Sequence, residues 1–377
     1  MPDTTKAVWS LQQVRDQILA GCWVQYDASN DPTTLWSWGQ NTYGNLGTGN
    51  TINRSSPVQV PGNQWNDISI GNRHSLARKT DGTLWSWGAS FGGQLGIGVL
   101  YHRNSPTQIP GTSWNDVSAG FTLSFARKTD GTLWGWGYNG TQGRLGDGTT
   151  INRSSPVQIP GTSWNDIVGG SDHSLARKTD GTLWTWGPNS DGQLGINNLI
   201  HRSSPVQVPG TQWSEVSGGA SFSSARKTDG TLWTWGVNTN GRLGDNTTIN
   251  RSSPVQIPGT SWNDIAGGLD HLLARKTDGT LWSWGYNGKS QLGLGDTTHR
   301  SSPTQVPGTQ WNDVSGSNRH TLARKTDGTL WSWGYNAFGR LGDDTDIQRN
   351  SPVQIPGTQW FDISGGFGAF SLARKSL

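Results

Sequence analysis

Seven histidines are the side chains best placed by type to move protons or hold a metal: His74, His102, His173, His201, His271, His299 and His320. Their spacing argues against both uses. No two stand at i, i+4, and no His-Glu-x-x-His occurs. His74, His173, His271 and His320 fall at a turn before a strand, where an imidazole is expected to cap backbone. His102, His201 and His299 precede a repeated Arg. A central metal shared by several of them is the chemical alternative. There is no Gly-x-Ser-x-Gly elbow and no phosphate loop. Carboxylates occur mainly in repeated Trp-x-Asp/Glu and Asp-Gly motifs, so no unique acid–base pair stands out. The single cysteine, Cys22, excludes an intrachain disulfide and a Cys-rich zinc site. We therefore expect no enzyme, no metal and no cofactor.

These groups ride on a repeat. Leu-Trp-small-Trp-Gly occurs seven times, with its first Trp at Trp36, Trp85, Trp134, Trp184, Trp233, Trp282 and Trp331. Successive copies are 49 or 50 residues apart. Arg-Ser/Asn-Ser-Pro-x-Gln-Val/Ile-Pro-Gly and Trp-x-Asp/Glu-Ile/Val also recur seven times. One unit predicts four strands. They are Trp65–Ser69, Ser75–Thr80, Thr83–Trp87 and Ser105–Ile109, with a tight Asp81-Gly82 hairpin between the second and third. The prolines around the fourth cannot donate ladder bonds, which places it at the outer edge. The reading is an all-β, seven-bladed propeller of four-stranded blades spanning residues 31–377. Composition agrees: 54 Gly, 23 Trp and 15% charged residues suit short strands and Gly-rich turns.

The chain ends are out of phase with the repeat. Residues 34–61 supply only third and fourth strands, and residues 360–375 only first and second. One blade should combine them, closing the ring and leaving no open edge. Alternation puts both indoles of Leu-Trp-Ser-Trp on one face, so both are expected in the core. The residue between them is always small and is expected to make room for an indole of the next blade.

Charge is patterned by the same repeat. Seven Arg-Lys pairs, from Arg78-Lys79 to Arg374-Lys375, adjoin the Asp-Gly turns and form a ring by symmetry. They are either solvated or paired with carboxylates of a neighbouring strand, or they form a cationic band for lipopolysaccharide or DNA. The net charge of +3 gives no independent reason to expect nucleic acid. No apolar run approaches the length of a membrane span, so no membrane insertion is expected. Arg before Leu-Gly goes with Asp after it, as in Arg144/Asp147, Arg242/Asp245 and Arg340/Asp343. This predicts a local Arg–Asp contact. Departures from the consensus gather after the Gly-Gly of the first strand. Asn72, Arg73, Phe121, Asp172, Phe222, Asp270, Arg319 and Phe367 are thus the candidate binding residues, ringing one mouth of the channel.

Residues 1–30 lie outside the repeat. Ser10 and Gln13 fit a capping box, and Leu11, Val14, Ile18 and Leu19 follow helical spacing. A short helix over 11–20 is predicted, with Gly21 as its stop. With Trp9 and Trp23, these apolar residues either cap the propeller's underside or attach it to a larger assembly.

The segment Gly71-Asn72-Arg73-His74-Ser75-Leu76-Ala77, with Asp81-Gly82-Thr83-Leu84-Trp85-Ser86-Trp87-Gly88 and Gly93-Gln94-Leu95-Gly96, resembles the repeat of the regulator-of-chromosome-condensation family. That resemblance implies a seven-bladed propeller. Some members exchange guanine nucleotide on a small GTPase and bind nucleosomes; others serve in ubiquitin ligases, and a plant branch senses UV-B light. The exchange factors' inserted wedge has no counterpart in any repeat here. The photoreceptors' Gly-Trp-Arg-His-Thr reads Gly71-Asn72-Arg73-His74-Ser75 and Ser317-Asn318-Arg319-His320-Thr321. The run from Ala7 to Val14, with Gly21-Cys22-Trp23, resembles a short N-terminal module of marine phage tail and head-fibre proteins. The expectation is a binding or structural propeller of a virion. Residues 1–30 would dock on other virion proteins, and the propeller would face a host receptor or glycan. The alternative is a cytoplasmic protein-interaction module engaging a GTPase or other host protein.

Overall fold

The computed structural model describes residues 33–376. The predicted helix over 11–20 and the attachment residues Trp9, Leu11, Val14, Ile18, Leu19 and Trp23 lie outside them. The strands form seven four-stranded antiparallel sheets, each a blade. In the second blade Trp65–Ile70 is innermost, followed outward by His74–Lys79, Leu84–Gly88 and Arg103–Ile109. The outer strand starts earlier than predicted because Arg103 pairs with Gly88 across a bulge. Pro106 sits in this edge strand, where no ladder bond is asked of it. The first blade joins Thr34–Gly39 and Arg54–Val60 to Trp360–Ser364 and Phe370–Lys375. Trp36 stands opposite Ala373 there, so the ring closes through backbone pairing of the two ends of the repeat array.

Each hairpin carries its own brace. Asp81 Oδ1 accepts from the Thr83 amide at 2.9 Å and from its hydroxyl at 2.6 Å, and Thr83 Oγ1 accepts from Trp85 Nε1 at 2.9 Å. Gly82 takes a φ of 76°, which a side chain would resist. The Asp-Gly-Thr-Leu-Trp motif is therefore one hydrogen-bonded unit that sets the register of the second and third strands.

Seven apolar clusters hold the ring, one at each blade junction. One of them packs Leu133, Leu145 and Ile159 of the third blade against Trp164, Ile167 and Trp186 of the fourth. The indoles are not equivalent, which corrects the expectation that both of each pair are core. Trp38, Trp87, Trp136, Trp186, Trp235, Trp284 and Trp333 are fully buried. Trp36, Trp85, Trp134, Trp184, Trp233, Trp282 and Trp331 are half-buried at the hairpin end of each blade. In six blades a lysine covers that indole: Lys178 Nζ lies 4.9 Å from the Trp164 ring and 4.6 Å from the Trp184 ring.

Room for the deep indole comes from the glycine of Leu-Gly, not from the small residue between the tryptophans. A Cβ at Gly146 would stand 2.6 Å from Trp186 Nε1, and Gly47 and Gly96 face Trp87 and Trp136 in the same way. The small residue instead fits its own blade. Gly135 stands opposite Phe125, whose ring a Cβ would meet at 2.8 Å, whereas Ser86 stands opposite the smaller Leu76. Phe125 then reaches Trp186 of the next blade edge-on at 6.0 Å.

Candidate functional site

The loops after the first and third strands of every blade share one face. Backbone bonds tie neighbouring turns around the channel mouth: Asn72 to Phe121, Phe121 to Gly170, Ser171 to Gly219, Ala220 to Leu269 and Leu269 to Ser317, at 3.0–3.3 Å. Below them Ser69, Ser118, Ser217, Ser315 and Ser364 each accept an amide of the following blade at 2.8–3.1 Å. The turns are therefore held rigidly, and their side chains present a fixed pattern.

Most of the candidate residues meet there. Asn72, Phe121, Asp172 and Asp270 are half-buried, while Arg73 and Arg319 are exposed. Phe367 is 6% exposed, leaning on Phe121 with ring centroids 6.4 Å apart. Phe222 is not at the mouth. It is fully buried between blades, because the turn residues of the fifth blade are Ala220 and Ser221. Counting from Val216 rather than from the Phe-Ser-Ser run would have placed it.

The Arg–Asp pairs cross between blades rather than closing locally. Arg144 bonds Asp172 and Arg242 bonds Asp270, both at 2.8 Å. Asp147, Asp245 and Asp343 instead grip the repeated arginines Arg153, Arg251 and Arg349 at 2.7–2.8 Å. The two side chains of the predicted pair point to different partners because the intervening Leu-Gly turns the chain.

The histidines are spent on structure. His74, His173, His271 and His320 are fully buried, and each Nε2 lies 2.7–3.2 Å from a hydroxyl of the next blade: Ser124, Ser223, Thr321 and Ser371. Those hydroxyls already donate to the carbonyls of Gln94, Gln193, Gln291 and Arg340, so each imidazole must donate from Nε2. The same carbonyls accept Trp136, Trp235, Trp333 and Trp38 Nε1. Burial pushes the pKa of His74, His173 and His271 down to about 3, which keeps them neutral and unfit as physiological bases. His102, His201 and His299 accept a backbone amide of their own loop through Nδ1 at 2.8–3.0 Å. In other blades Asn53, Asn152 and Asn250 do the same work.

The opposite mouth carries a ring of paired charge. Asp67, Asp116, Glu215, Asp264, Asp313 and Asp362 lie 2.7–4.0 Å from Arg78, Arg127, Arg226, Arg275, Arg324 and Arg374. Six of the seven arginines of the Arg-Lys pairs thus lie beside carboxylates, and the lysines lie on indoles. Burial, reinforced by neighbouring carboxylates, lifts Asp67 and Asp313 to about 7. Glu215 is likewise lifted to about 7 and Asp116 to about 6.

One surface escaped the sequence reading. Ile52, Leu100, Ile151, Ile200, Ile249 and Ile347 are 57–62% exposed, one on each of six third-to-fourth-strand loops. Phe91, Tyr101 and Leu199 extend this apolar rim. Its signal was present: an apolar residue recurs inside an otherwise polar loop, just before the repeated Arg.

Stacked four-stranded blades, a two-ended closure and a rigid loop-bearing face define a repeat propeller built for presenting a surface. A profile described as RCC1-like domain matches residues 165–373. The regulator of chromosome condensation (RCC1) repeat matches residues 34–78, 81–127 and 130–177. The chain belongs to this family. Among solved structures it is similar to yeast RCC1 (Prp20) bound to Kap60, at 20% identity and a TM-score of 0.82, covering 94% of this chain and 92% of that one. It is similar to Prp20p from Saccharomyces cerevisiae, described with its binding properties to Gsp1p and histones, at 21% identity and TM-score 0.82, covering 94% and 95%. It is also similar to human WBSCR16, at 20% identity and TM-score 0.80, covering 92% and 99%. No curated protein sequence matches.

Proposed function

We propose that this chain is a non-enzymatic protein-binding propeller that engages its partner with the loop-bearing face. The observation that carries this reading is the apolar rim of Ile52, Leu100, Ile151, Ile200, Ile249 and Ile347 around a rigid, variable mouth. An exposed aliphatic repeated at one position in six of seven loops gives this face recurring apolar groups of the kind that protein interfaces bury. The similar Prp20p, described as binding Gsp1p and histones, supports the protein-interaction alternative over the virion reading, which draws no support from the comparisons. Attachment through residues 1–30 and presentation to a receptor or glycan concern residues and partners beyond those described.

Purified Gsp1p, histones and Kap60 are the probes. The full chain should bind at least one of them, and the double substitution Ile151→Glu, Ile249→Glu should abolish binding while leaving the melting midpoint unchanged. Binding that survives this change would reject the face, and binding to none of the three would reject the partner class.

A further inference from the structure

We propose that the notch over Arg340, at the junction of the seventh and first blades, receives a carboxylate from a partner protein. The inference rests on the protein-binding reading for the source of that carboxylate alone. The residue before Leu-Gly turns back onto its own loop where it is glutamine, as Gln94, Gln193 and Gln291 do, and reaches a turn of the following blade where it is a paired arginine. Where it is arginine, the partner is Asp172 for Arg144 and Asp270 for Arg242, both at 2.8 Å. For Arg340 the corresponding residue is Ala369. The backbone fixes this equivalence: Tyr286 donates to the Asp270 carbonyl at 2.9 Å, and Gln40 to the Ala369 carbonyl at 3.0 Å.

Arg340 is held like its paired counterpart. Its Nε donates to Ala337 O at 3.0 Å, as Arg242 Nε does to Thr239 O at 3.1 Å. Its guanidinium lies 4.9 Å from the Tyr335 ring, as that of Arg144 lies 5.3 Å from Tyr138. Arg340 is 4% exposed, against 7% for Arg242. Yet no carboxylate among the described residues pairs with it. Two cations lie nearby: Lys289 Nζ is 5.1 Å from the same Tyr335 ring, and Arg319 adds to the burial that lowers the Arg340 pKa.

A guanidinium withdrawn from water with no counter-ion is costly, and a bidentate carboxylate would remove that cost. Where the paired junctions place an Asp carboxymethyl group, this one has only the Ala369 methyl, and Ala369 is half-buried in a turn of the loop-bearing face. These features fit an Asp or Glu side chain from outside.

The test uses acetate as the probe, at constant ionic strength with chloride as the reference, on the full chain. Acetate should raise the wild-type melting midpoint by about 1–3 °C at saturating concentration. Ala369→Asp should raise the midpoint in chloride and abolish the acetate increment, because the chain then supplies its own carboxylate. Arg340→Gln should also lose the increment. An increment retained in Ala369→Asp, or absent from wild type, would overturn the proposal. A larger increment from inorganic phosphate than from acetate would replace the carboxylate with a phosphate ligand. Neither result depends on whether Gsp1p, histones or Kap60 bind.

Discussion

His173 Nε2 lies 2.7 Å from Ser223 Oγ, across the junction between the fourth and fifth blades. The hydroxyl passes the contact on to Gln193 O at 2.8 Å, where Trp235 Nε1 also arrives at 2.9 Å. At the next junction Phe222 replaces the histidine and Leu272 the serine, both fully buried. Four junctions thus carry the polar pair and this one an apolar pair, while Phe370–Ser75 and Leu123–Ser174 are mixed, their hydroxyls donating to Asn45 O and Arg144 O. His173→Phe alone should lose about 1–2 kcal/mol by removing the Nε2–H donor to Ser223 Oγ, which keeps its own bond to Gln193 O. Adding Ser223→Leu should recover a good part of it. Urea unfolding of the four members of this cycle measures the coupling, which would vanish if the pair were incidental.

The same pair makes a pH prediction. His173 has a folded pKa near 3 and an ordinary value of 6.5 when unfolded. Between those values the unfolded chain binds the extra proton, so the stability this residue contributes falls as pH drops from 6.5 toward 3. The Phe–Leu double variant should therefore gain on wild type as pH is lowered from 7 to 4, by unfolding measured at each pH.

The carboxylate ring works in the opposite direction. Asp67 has its folded pKa raised from 3.8 to about 7. The folded state binds the extra proton in that window, so stability from this group is present at pH 4 and lost as pH rises through 7. Asp67→Asn should gain about 1–2 kcal/mol on wild type between pH 5 and pH 8, discounted for water reaching the channel. A difference that stays flat across this range would show that Arg78 fully compensates the charge.

Depth within each indole pair sets mutational cost. Trp186→Ala should lose ~3–5 kcal/mol, because Trp186 is wholly enclosed at the junction with the third blade. Trp184→Ala, half-buried under Lys178, should lose about 1–2 kcal/mol. Equal costs in thermal unfolding would contradict the two-level arrangement.

Closure has its own test. Phe370–Lys375 pairs with Thr34–Gly39 on one side and Trp360–Ser364 on the other. Deleting residues 370–377 exposes two strand edges and should give aggregation or a lowered, broadened transition. A monomer with an unchanged melting midpoint would mean that the first blade does not close the ring.

Some of this was legible in the residues alone. A 49-residue period, Asp-Gly turns and outer prolines encode local chain direction, and local direction repeated seven times yields the blades and their count. The phase of the repeat at Trp36 and Trp360 was enough to predict the shared blade, because sheet edges must be paired. The mouth residues Asn72, Arg73, Asp172 and Arg319 were found as departures from the repeat; Phe222 was misplaced by one position.

What the sequence by itself determined, then, is everything carried by short-range pattern: strand order, hairpins, blade number and ring closure. Only the tertiary structure decided that Arg144 reaches Asp172 rather than Asp147, that Gly146 rather than Thr185 makes room for Trp186, and that Ala369 stands across from Arg340 where Asp270 stands across from Arg242. Those relations join residues about 30 to 40 positions apart on neighbouring blades. They depend on how far one twisted sheet is rotated against the next, and no spacing along the chain records that angle.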